Sequence, residues 1–279
     1  MSAVDAAAKG PPNLLVRLLT AAVAAPAILY LLFWAPKWGF QALVLTAVAI
    51  AAHELFAMTM GKDRVLEAYG VVSSLGVALV QLYAPTAPAL LATFALLPMG
   101  GLLLSLVRPD PIDKADRRIA WTIAGPLYVG MLATLGRLHL RDNGGGWVVL
   151  TMMLAWWGDT GGYFAGRAFG KHKLYEKVSP KKTIEGSIGG LAGSVLGALC
   201  AHFWYLQALP LVDGVVLAVV AGALGQAGDL CESLIKRSAG VKDSGFIVPG
   251  HGGLLDRVDA LVFTSAATWL YATLLLDAR

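Results

Sequence analysis

The sequence predicts an all-α membrane protein, a polytopic bundle of about nine transmembrane helices whose N-terminus lies in the cytoplasm. Hydrophobic residues make up 57% of the 279 residues and charged residues only 14%, whereas a soluble domain carries about 25% charged residues. The apolar residues form runs of about 20 residues, the length that a helix needs to cross a bilayer. Basic residues are concentrated in alternate loops, as in other polytopic membrane proteins. Together these observations exclude a soluble globular domain.

The apolar runs divide the chain into nine predicted spans, each close to the length that a membrane helix requires. The spans are residues 14–35, 38–58, 68–84, 87–107, 119–138, 147–166, 187–206, 212–235 and 257–277. The third span is short and is interrupted by glycine and serine. Span 7 repeats glycine at every fourth position, at Gly189, Gly193 and Gly197, a pattern that lets helix backbones approach closely in lipid.

The basic residues test the orientation of these spans. With nine spans, 18 of the 22 lysines and arginines fall at the N-terminus or in the loops after spans 2, 4, 6 and 8. Because basic residues accumulate on the cytoplasmic side of a membrane, this asymmetry predicts a cytoplasmic N-terminus and an external C-terminus. Removing one span would scatter the basic residues over both sides, so the count favours nine.

Several carboxylates lie within or at the ends of the predicted spans, where a charge is costly unless it faces water or the protein interior. They include Glu54, Asp159, Asp229, Glu232, Asp256 and Asp259. Asp229, Glu232 and Lys236 share one face at the cytoplasmic end of span 8, because they are spaced by three and four residues. Asp256 and Asp259 likewise share a face at the start of span 9.

Carboxylates that converge from several helices make an oxygen-rich site, which is the chemistry that Mg²⁺ prefers. The sequence has no cluster of His and Cys that would favour zinc. An alternative is that these acids only pair with nearby bases. Asp256 would then cap its helix, and Asp229 would pair with Lys236.

The loop between spans 8 and 9, residues 236–253, is rich in glycine, lysine and arginine. Glycines bring backbone N–H groups close to an anion, and the basic side chains supply positive charge. The loop lacks the spacing of a P-loop. His251 lies in this loop, five residues before Asp256, and both a functional and an incidental role stay open for it.

The loop between spans 6 and 7 contains the compact basic turn Ser179-Pro-Lys-Lys-Thr183. Basic residues in such a loop can simply anchor the protein to anionic headgroups. The hydroxyl groups that flank the two lysines favour contact with a polyphosphate instead.

At this point the sequence resembles the phosphatidate cytidylyltransferases (CDP-diacylglycerol synthases). The matching segments are Ser233-Leu-Ile-Lys236-Arg237, Lys242-Asp243-Ser-Gly245 and Pro249-Gly-His251-Gly252-Gly253-Leu-Leu-Asp256-Arg257-Val-Asp259. Supporting matches are Gly228-Asp229-Leu-Cys-Glu232-Ser233, Asp159-Thr-Gly-Gly-Tyr163-Phe-Ala-Gly166-Arg167 and Ser179-Pro-Lys-Lys-Thr183-Ile-Glu185-Gly186. The resemblance extends from about residue 155 to 260, whereas the N-terminal half matches only in being apolar.

The resemblance implies an enzyme of phospholipid biosynthesis that converts CTP and phosphatidic acid into CDP-diacylglycerol and pyrophosphate. It implies Mg²⁺ in a two-metal site, an integral protein of a bacterial-type plasma (inner) membrane, and a site that faces the cytoplasm. We expect residues 146–279 to form the catalytic region and residues 1–145 to form N-terminal helices whose role as a scaffold, lipid entrance or dimer contact stays open. The use of a monovalent cation and the formation of a homodimer also stay open. We expect no nucleic-acid partner.

The resemblance also implies roles for individual residues. The groups implied for catalysis are Asp229, Asp256, Asp259, Lys236, Arg237, Lys242 and His251. The groups implied for substrate binding are Ser179, Lys181, Lys182, Thr183, Glu185, Ser233, Asp243 and Arg257. The implied metal ligands are Asp229, Asp256 and Asp259, with Asp159 as a further ligand or as support for one.

Rival functions follow from the same residues. Another CTP-using membrane enzyme, such as a polyprenol kinase, would release CDP instead of pyrophosphate. An ion-coupled transporter would place acids near the middle of spans in both halves, whereas here they cluster at the cytoplasmic ends of spans 8 and 9. A CDP-alcohol phosphotransferase is disfavoured because its Asp-Gly-x2-Ala-Arg signature is missing.

Overall fold

The computed structural model describes residues 13–61, 63–248 and 252–277, and most of this part of the chain is helical. The helices are α1 Asn13–Phe33, α2 Lys37–Thr59, α3 Arg64–Tyr83, α4 Ala87–Val107, α5 Ala115–Gly130, α6 Ala133–His139, α7 Gly144–Phe169, α8 Ile184–Trp204, α9 Leu211–Ser238 and α10 Leu255–Tyr271. A 3₁₀ turn, Ile112–Lys114, precedes α5, and a π-helical turn, Ala272–Leu276, follows α10. His251 lies outside the described residues.

Seven helical segments in the described part of the chain are long and apolar enough to cross a membrane. They are Lys37–Thr59, Arg64–Tyr83, Ala87–Val107, Ile112–His139, Ile184–Trp204, Leu211–Ser238 and Leu255–Leu276. Leu18–Phe33 is a shorter apolar helix. The helix α7 is not among the seven. It has 26 residues, but it carries many glycines and Asp159 in place of aliphatic side chains. The polytopic all-α fold is therefore confirmed, whereas the count of nine spans and the cytoplasmic N-terminus stay predictions.

Two local features differ from the prediction. The fifth span is not one continuous α-helix, because a turn at Met131 and Leu132 separates α5 from α6. Pro126 weakens the end of α5, since its ring removes a backbone donor inside the helix. The loop before α8 forms an antiparallel hairpin of β1, Lys173–Tyr175, and β2, Ser179–Thr183. Strands of three and five residues are too short to reveal themselves by alternating hydrophobicity.

The glycines of α8 bring its backbone against α7. A Cβ atom on Gly189 would lie 3.0 Å from the carbonyl oxygen of Gly161, and one on Gly193 would lie 3.0 Å from the carbonyl carbon of Trp157. No larger residue fits at either position without moving a helix, so the glycine stripe predicted from the sequence does serve helix packing.

The helix α2 packs against α3, α5, α6 and α10 and so connects the N-terminal helices to the C-terminal ones. Its enclosed face includes Leu55 and Phe56, which are fully buried. Two polar side chains of the same helix, Gln41 and Glu54, are deeply buried, each only 2% exposed. A polar group at such a depth needs hydrogen-bond partners, and the partners of Glu54 belong to the functional region described next.

Candidate active site

A cavity of about 460 Å³ opens between α7, α8, α9 and the hairpin. Its volume falls in the range of sites for small ligands, roughly 300–1,000 Å³. Glycines of α7 and α8 form much of its wall, and its charged lining combines acidic and basic side chains. The charged lining consists of Asp159, Arg167, Lys181, Lys182 and Asp229. The glycines leave room beside the helix backbones, so a phosphate-bearing ligand can approach both charges and backbone.

An ion pair joins the hairpin to α9 at the wall of this cavity. The Nζ atom of Lys182 lies 2.5 Å from Oδ2 of Asp229, and both side chains are about three-quarters buried. The hydroxyl of Ser233 donates to Oδ1 of Asp229 at 3.4 Å. Two of the motifs found in the sequence are thereby brought together. The pairing of Asp229 with Lys236, considered from the sequence as an alternative, does not form, because Lys182 occupies Asp229.

The base of the hairpin is fixed to the first turn of α8. Thr183 is the N-cap of α8, and its hydroxyl accepts the backbone N–H of Gly186 at 3.1 Å. Glu185 accepts the backbone N–H of Lys171 at 3.1 Å and lies 2.6 Å from Nδ1 of His172. Of the predicted substrate-binding residues here, Lys181, Lys182 and Thr183 line the cavity. Ser179 and Glu185 lie outside its lining, and Glu185 holds the chain that leads into the hairpin.

Three carboxylates from three helices lie near one another beside the cavity. Asp159 of α7, Asp229 of α9 and Asp259 of α10 are close enough for their negative charges to repel. Lys182 and Arg257 offset part of the charge at Asp159. The Oδ1 atom of Asp259 accepts its neighbouring backbone N–H, that of Ala260, at 2.7 Å. These three acids form an excess of negative charge at one place in the bundle.

Asp256 belongs to a second cluster of the site, which forms around Lys236. Its Oδ1 accepts from Nζ of Lys236 at 2.6 Å, and its Oδ2 accepts the backbone N–H groups of Ser244 at 3.0 Å and Gly253 at 3.3 Å. Lys236 also makes a close ion pair with Glu232, which is fully buried. Neither carboxylate oxygen of Glu232 accepts an aligned hydrogen bond within the described residues. Both oxygens of Asp256 are thus occupied by protein donors.

The donor set can be tested against Mg²⁺. Within residues 13–61, 63–248 and 252–277, no group of three His, Cys, Asp or Glu side chains is close enough together to hold one ion. The preformed set of three converging ligands that the spacing suggested is therefore absent from these ranges. Mg²⁺ needs only one or two carboxylates, because water and substrate phosphates complete its shell. Asp159, Asp229 and Asp259, whose negative charges repel one another, can supply those one or two carboxylates.

The remaining predicted residues surround these two clusters. Arg237 is exposed at the end of α9 and donates to the carbonyl oxygen of Val241 at 3.3 Å. Lys242 and Asp243 are exposed in the loop after α9, and Arg257 is exposed on α10. These four side chains are exposed, but the cavity lining does not include them.

Sequence reasoning missed a polar pair in the wall of the cavity. The Nε2 atom of Gln226 donates to the carbonyl oxygen of Ser187 at 3.0 Å, and the hydroxyl of Ser187 donates back to Oε1 of Gln226. Gln226 lies one helical turn before Asp229, so its polarity within an apolar span was the available signal. Sequence reasoning also missed the partners of Glu54, because nothing in the sequence connects α2 to a loop about 200 residues away.

Fold and site together define a membrane-embedded enzyme whose charged groups suit phosphate-bearing substrates. The family model described as the cytidylyltransferase family matches residues 15–275, and the chain belongs to this family. Proteins named phosphatidate cytidylyltransferase are similar over most of their length. The one from Synechocystis sp. is 35% identical over 86% of this chain and 90% of its own. The one from Staphylococcus aureus strain COL is 34% identical over 89% and 95%. The one from Staphylococcus saprophyticus is 35% identical over 77% and 82%.

Proposed function

We propose that this integral membrane enzyme transfers a cytidylyl group from CTP to phosphatidic acid. A phosphate oxygen of phosphatidic acid attacks the α-phosphorus of CTP, the bond from that phosphorus to the bridging oxygen breaks, and pyrophosphate leaves. CDP-diacylglycerol is the lipid product. Family membership supports this reaction, and the observation that carries it to this chain is the Lys182–Asp229 pair in the wall of the cavity. The pair unites two sequence motifs around a space large enough for a nucleotide.

The basic residues of the cavity bind the phosphates in this proposal. Lys181, Lys182 and Arg167 line one space with the glycines of α7 and α8. Phosphoryl-type transfer depends mainly on positioning and on neutralising charge, and these side chains can do both. The hydroxyl of Thr183 lies in the same lining but already accepts from Gly186, so its main role is to fix the hairpin.

The metal is part of the proposal too. Asp229 and Asp259 would hold Mg²⁺, with Asp159 as a further ligand or support, because their mutual repulsion favours a cation between them. Asp229 would then share its carboxylate between the ion and the ammonium group of Lys182, which lies 2.5 Å away. When bound, Mg²⁺ neutralises the charge on the reacting phosphates. Asp256 stays a predicted ligand. To bind a metal it must share or release the ammonium group of Lys236, which now lies 2.6 Å away.

We also propose that the site faces the cytoplasm across a plasma membrane of the bacterial type. The cavity lies where α7 and α9 approach their C-terminal ends and where the hairpin leaves the bundle. CTP would enter from water and phosphatidic acid from the adjacent leaflet. The positive-inside distribution of basic residues supports this orientation.

The test is to identify the products formed by the purified protein in detergent. We expect CTP and phosphatidic acid to give CDP-diacylglycerol and pyrophosphate in equal amounts, and EDTA to stop both. A lipid alcohol supplied with CTP should give no product. Formation of CDP and a phosphorylated alcohol would instead establish a lipid kinase. Full activity in EDTA would remove Mg²⁺ from the mechanism.

A further inference from the structure

Glu54 is a buried acid in the N-terminal half, and its side-chain hydrogen bonds within the described residues all go to the C-terminal region. It lies on α2 and is 2% exposed. Its Oε1 accepts the backbone N–H of Leu254 at 3.0 Å, and its Oε2 accepts that of Leu255 at 2.8 Å. Oε2 also accepts the hydroxyl of Ser244 at 3.1 Å. Both carboxylate oxygens are therefore used to hold one loop and the start of one helix.

These contacts cap α10. The first N–H groups of a helix have no partner within the helix, and Leu254, the N-cap residue of α10, provides no side-chain hydrogen bond. Glu54 supplies the missing acceptors from a distant part of the chain. A carboxylate at this position also interacts favourably with the positive end of the helix dipole.

Two glycines of the loop make space for this carboxylate. A Cβ atom added to Gly245 would have three nearest heavy atoms, all in the side chain of Glu54, at 2.5, 2.8 and 3.0 Å. A Cβ atom on Gly253 would lie 2.9 Å from Oε2 of Glu54, and nearer still to the hydroxyl of Ser244, which donates to that oxygen. The side chain of Glu54 cannot yield easily, because three hydrogen bonds hold it. The loop glycines and Glu54 are thus complementary in shape.

The segment that Glu54 holds leads directly to Asp256. The hydroxyl of Ser244 accepts the backbone N–H of Asp256 at 3.3 Å, and the backbone N–H of Ser244 donates to Oδ2 of Asp256 at 3.0 Å. Asp256 in turn binds Lys236. A continuous set of contacts therefore runs from α2 through the loop to α10 and the end of α9.

We propose that Glu54 is a positioning residue for the active site. It fixes the loop after α9 and the first turn of α10, so that Asp256, Lys236 and Asp259 keep the orientation that cytidylyl transfer requires. This inference rests on the proposed function for its effect on turnover, but not for its effect on the loop. It assigns a definite task to the N-terminal helices, which hold part of the site in place.

The first experiment compares Glu54→Gln with Gln41→Leu. Glutamine has the shape of glutamate but turns one acceptor into a donor that faces an N–H or hydroxyl group. Gln41 is an equally buried polar residue of α2, and its amide donates to Gly136 far from the loop. We expect Glu54→Gln to lower kcat by about 100-fold, the scale of a misplaced catalytic geometry. Hydrogen exchange in residues 241–256 should become faster. Gln41→Leu should lower Tm without either effect.

Each outcome decides the proposal. The proposal is overturned if the Glu54→Gln variant keeps the wild-type kcat, or if hydrogen exchange in its loop is unchanged. It is also overturned if Glu54→Gln and Gln41→Leu lower Tm equally and lower kcat equally. If the wild-type protein makes no CDP-diacylglycerol, the proposed function fails, while the exchange measurement still tests the role of Glu54 in the loop.

A second experiment tests the fit between Glu54 and Gly245. Gly245→Ala should speed amide hydrogen exchange of the loop in the wild-type background, because the three atoms nearest to the new methyl group all belong to Glu54. In a Glu54→Asp background the shorter side chain leaves room, so the same substitution should have a clearly smaller additional effect. Equal effects in both backgrounds would contradict the proposed contact.

Discussion

At the scale of single residues, Lys236 is the most tightly enclosed cation of the site. Its side chain is 11% exposed and lies between Glu232 and Asp256, which are 0% and 8% exposed. A buried ion pair adds little over an apolar substitute, but removing one partner leaves an uncompensated buried charge. Lys236 therefore stabilises the fold as well as the position of Asp256.

This arrangement predicts a large loss of stability for Lys236→Met. Two buried carboxylates would lose their shared cation, at a cost of about 3–5 kcal/mol. Thermal unfolding in detergent measures the effect as a fall in Tm. The exposed cation Lys114 provides the control, and Lys114→Met should leave Tm nearly unchanged. Equal Tm values for the two variants would show that Lys236 is not a buried partner of these acids.

The sequence showed which charged residues share a helix far better than it showed which of them pair. The spacing of Asp229, Glu232 and Lys236 placed them correctly on one helix, and the Glu232–Lys236 pair follows from that spacing. The spacing could not show that Lys182 would reach Asp229, because that contact depends on a hairpin that folds back over α9.

At the scale of elements, the close contact of α7 and α8 shapes the cavity. A Cβ atom on Gly161 would lie 2.5 Å from the carbonyl oxygen of Gly189 and 3.3 Å from Cα of Gly193. Backbone atoms cannot move aside as a flexible side chain can. The predicted helices were mostly confirmed because apolar runs report length directly, whereas the hairpin and the break after α5 depend on short local signals.

The substitution Gly161→Ala tests this contact. We expect it to destabilise the protein by about 1–3 kcal/mol, because the added methyl group overpacks the interface. Gly76 of α3 is the matched control, since a Cβ atom there would meet nothing within 4 Å. Gly76→Ala should leave stability unchanged or raise it by up to about 1 kcal/mol. The idea of tight α7–α8 packing fails if both alanines have the same effect on Tm.

At the scale of the whole molecule, the N-terminal helices are tied to the helix that carries Asp256 and Asp259. The sequence resemblance covered little of this half, and its role stayed open from the sequence. The contacts of Glu54 with Leu254 and Leu255 connect the two halves through buried hydrogen bonds. Other parts of this half face outward. Only 17% of the most apolar 18-residue stretch of α4 is buried within the protein, which suits contact with lipid.

The central claim is that the cavity beside Asp229 is where cytidylyl transfer occurs, and turnover by Asp229→Asn tests it most directly. Asp277→Asn is the control, because Asp277 also pairs with a basic residue, Arg141 at 2.5 Å, but lies outside the cavity lining. We expect Asp229→Asn to stay folded and to lose roughly 100-fold or more in kcat for CDP-diacylglycerol formation, while Asp277→Asn keeps wild-type turnover. Wild-type turnover by folded Asp229→Asn protein would contradict the claim.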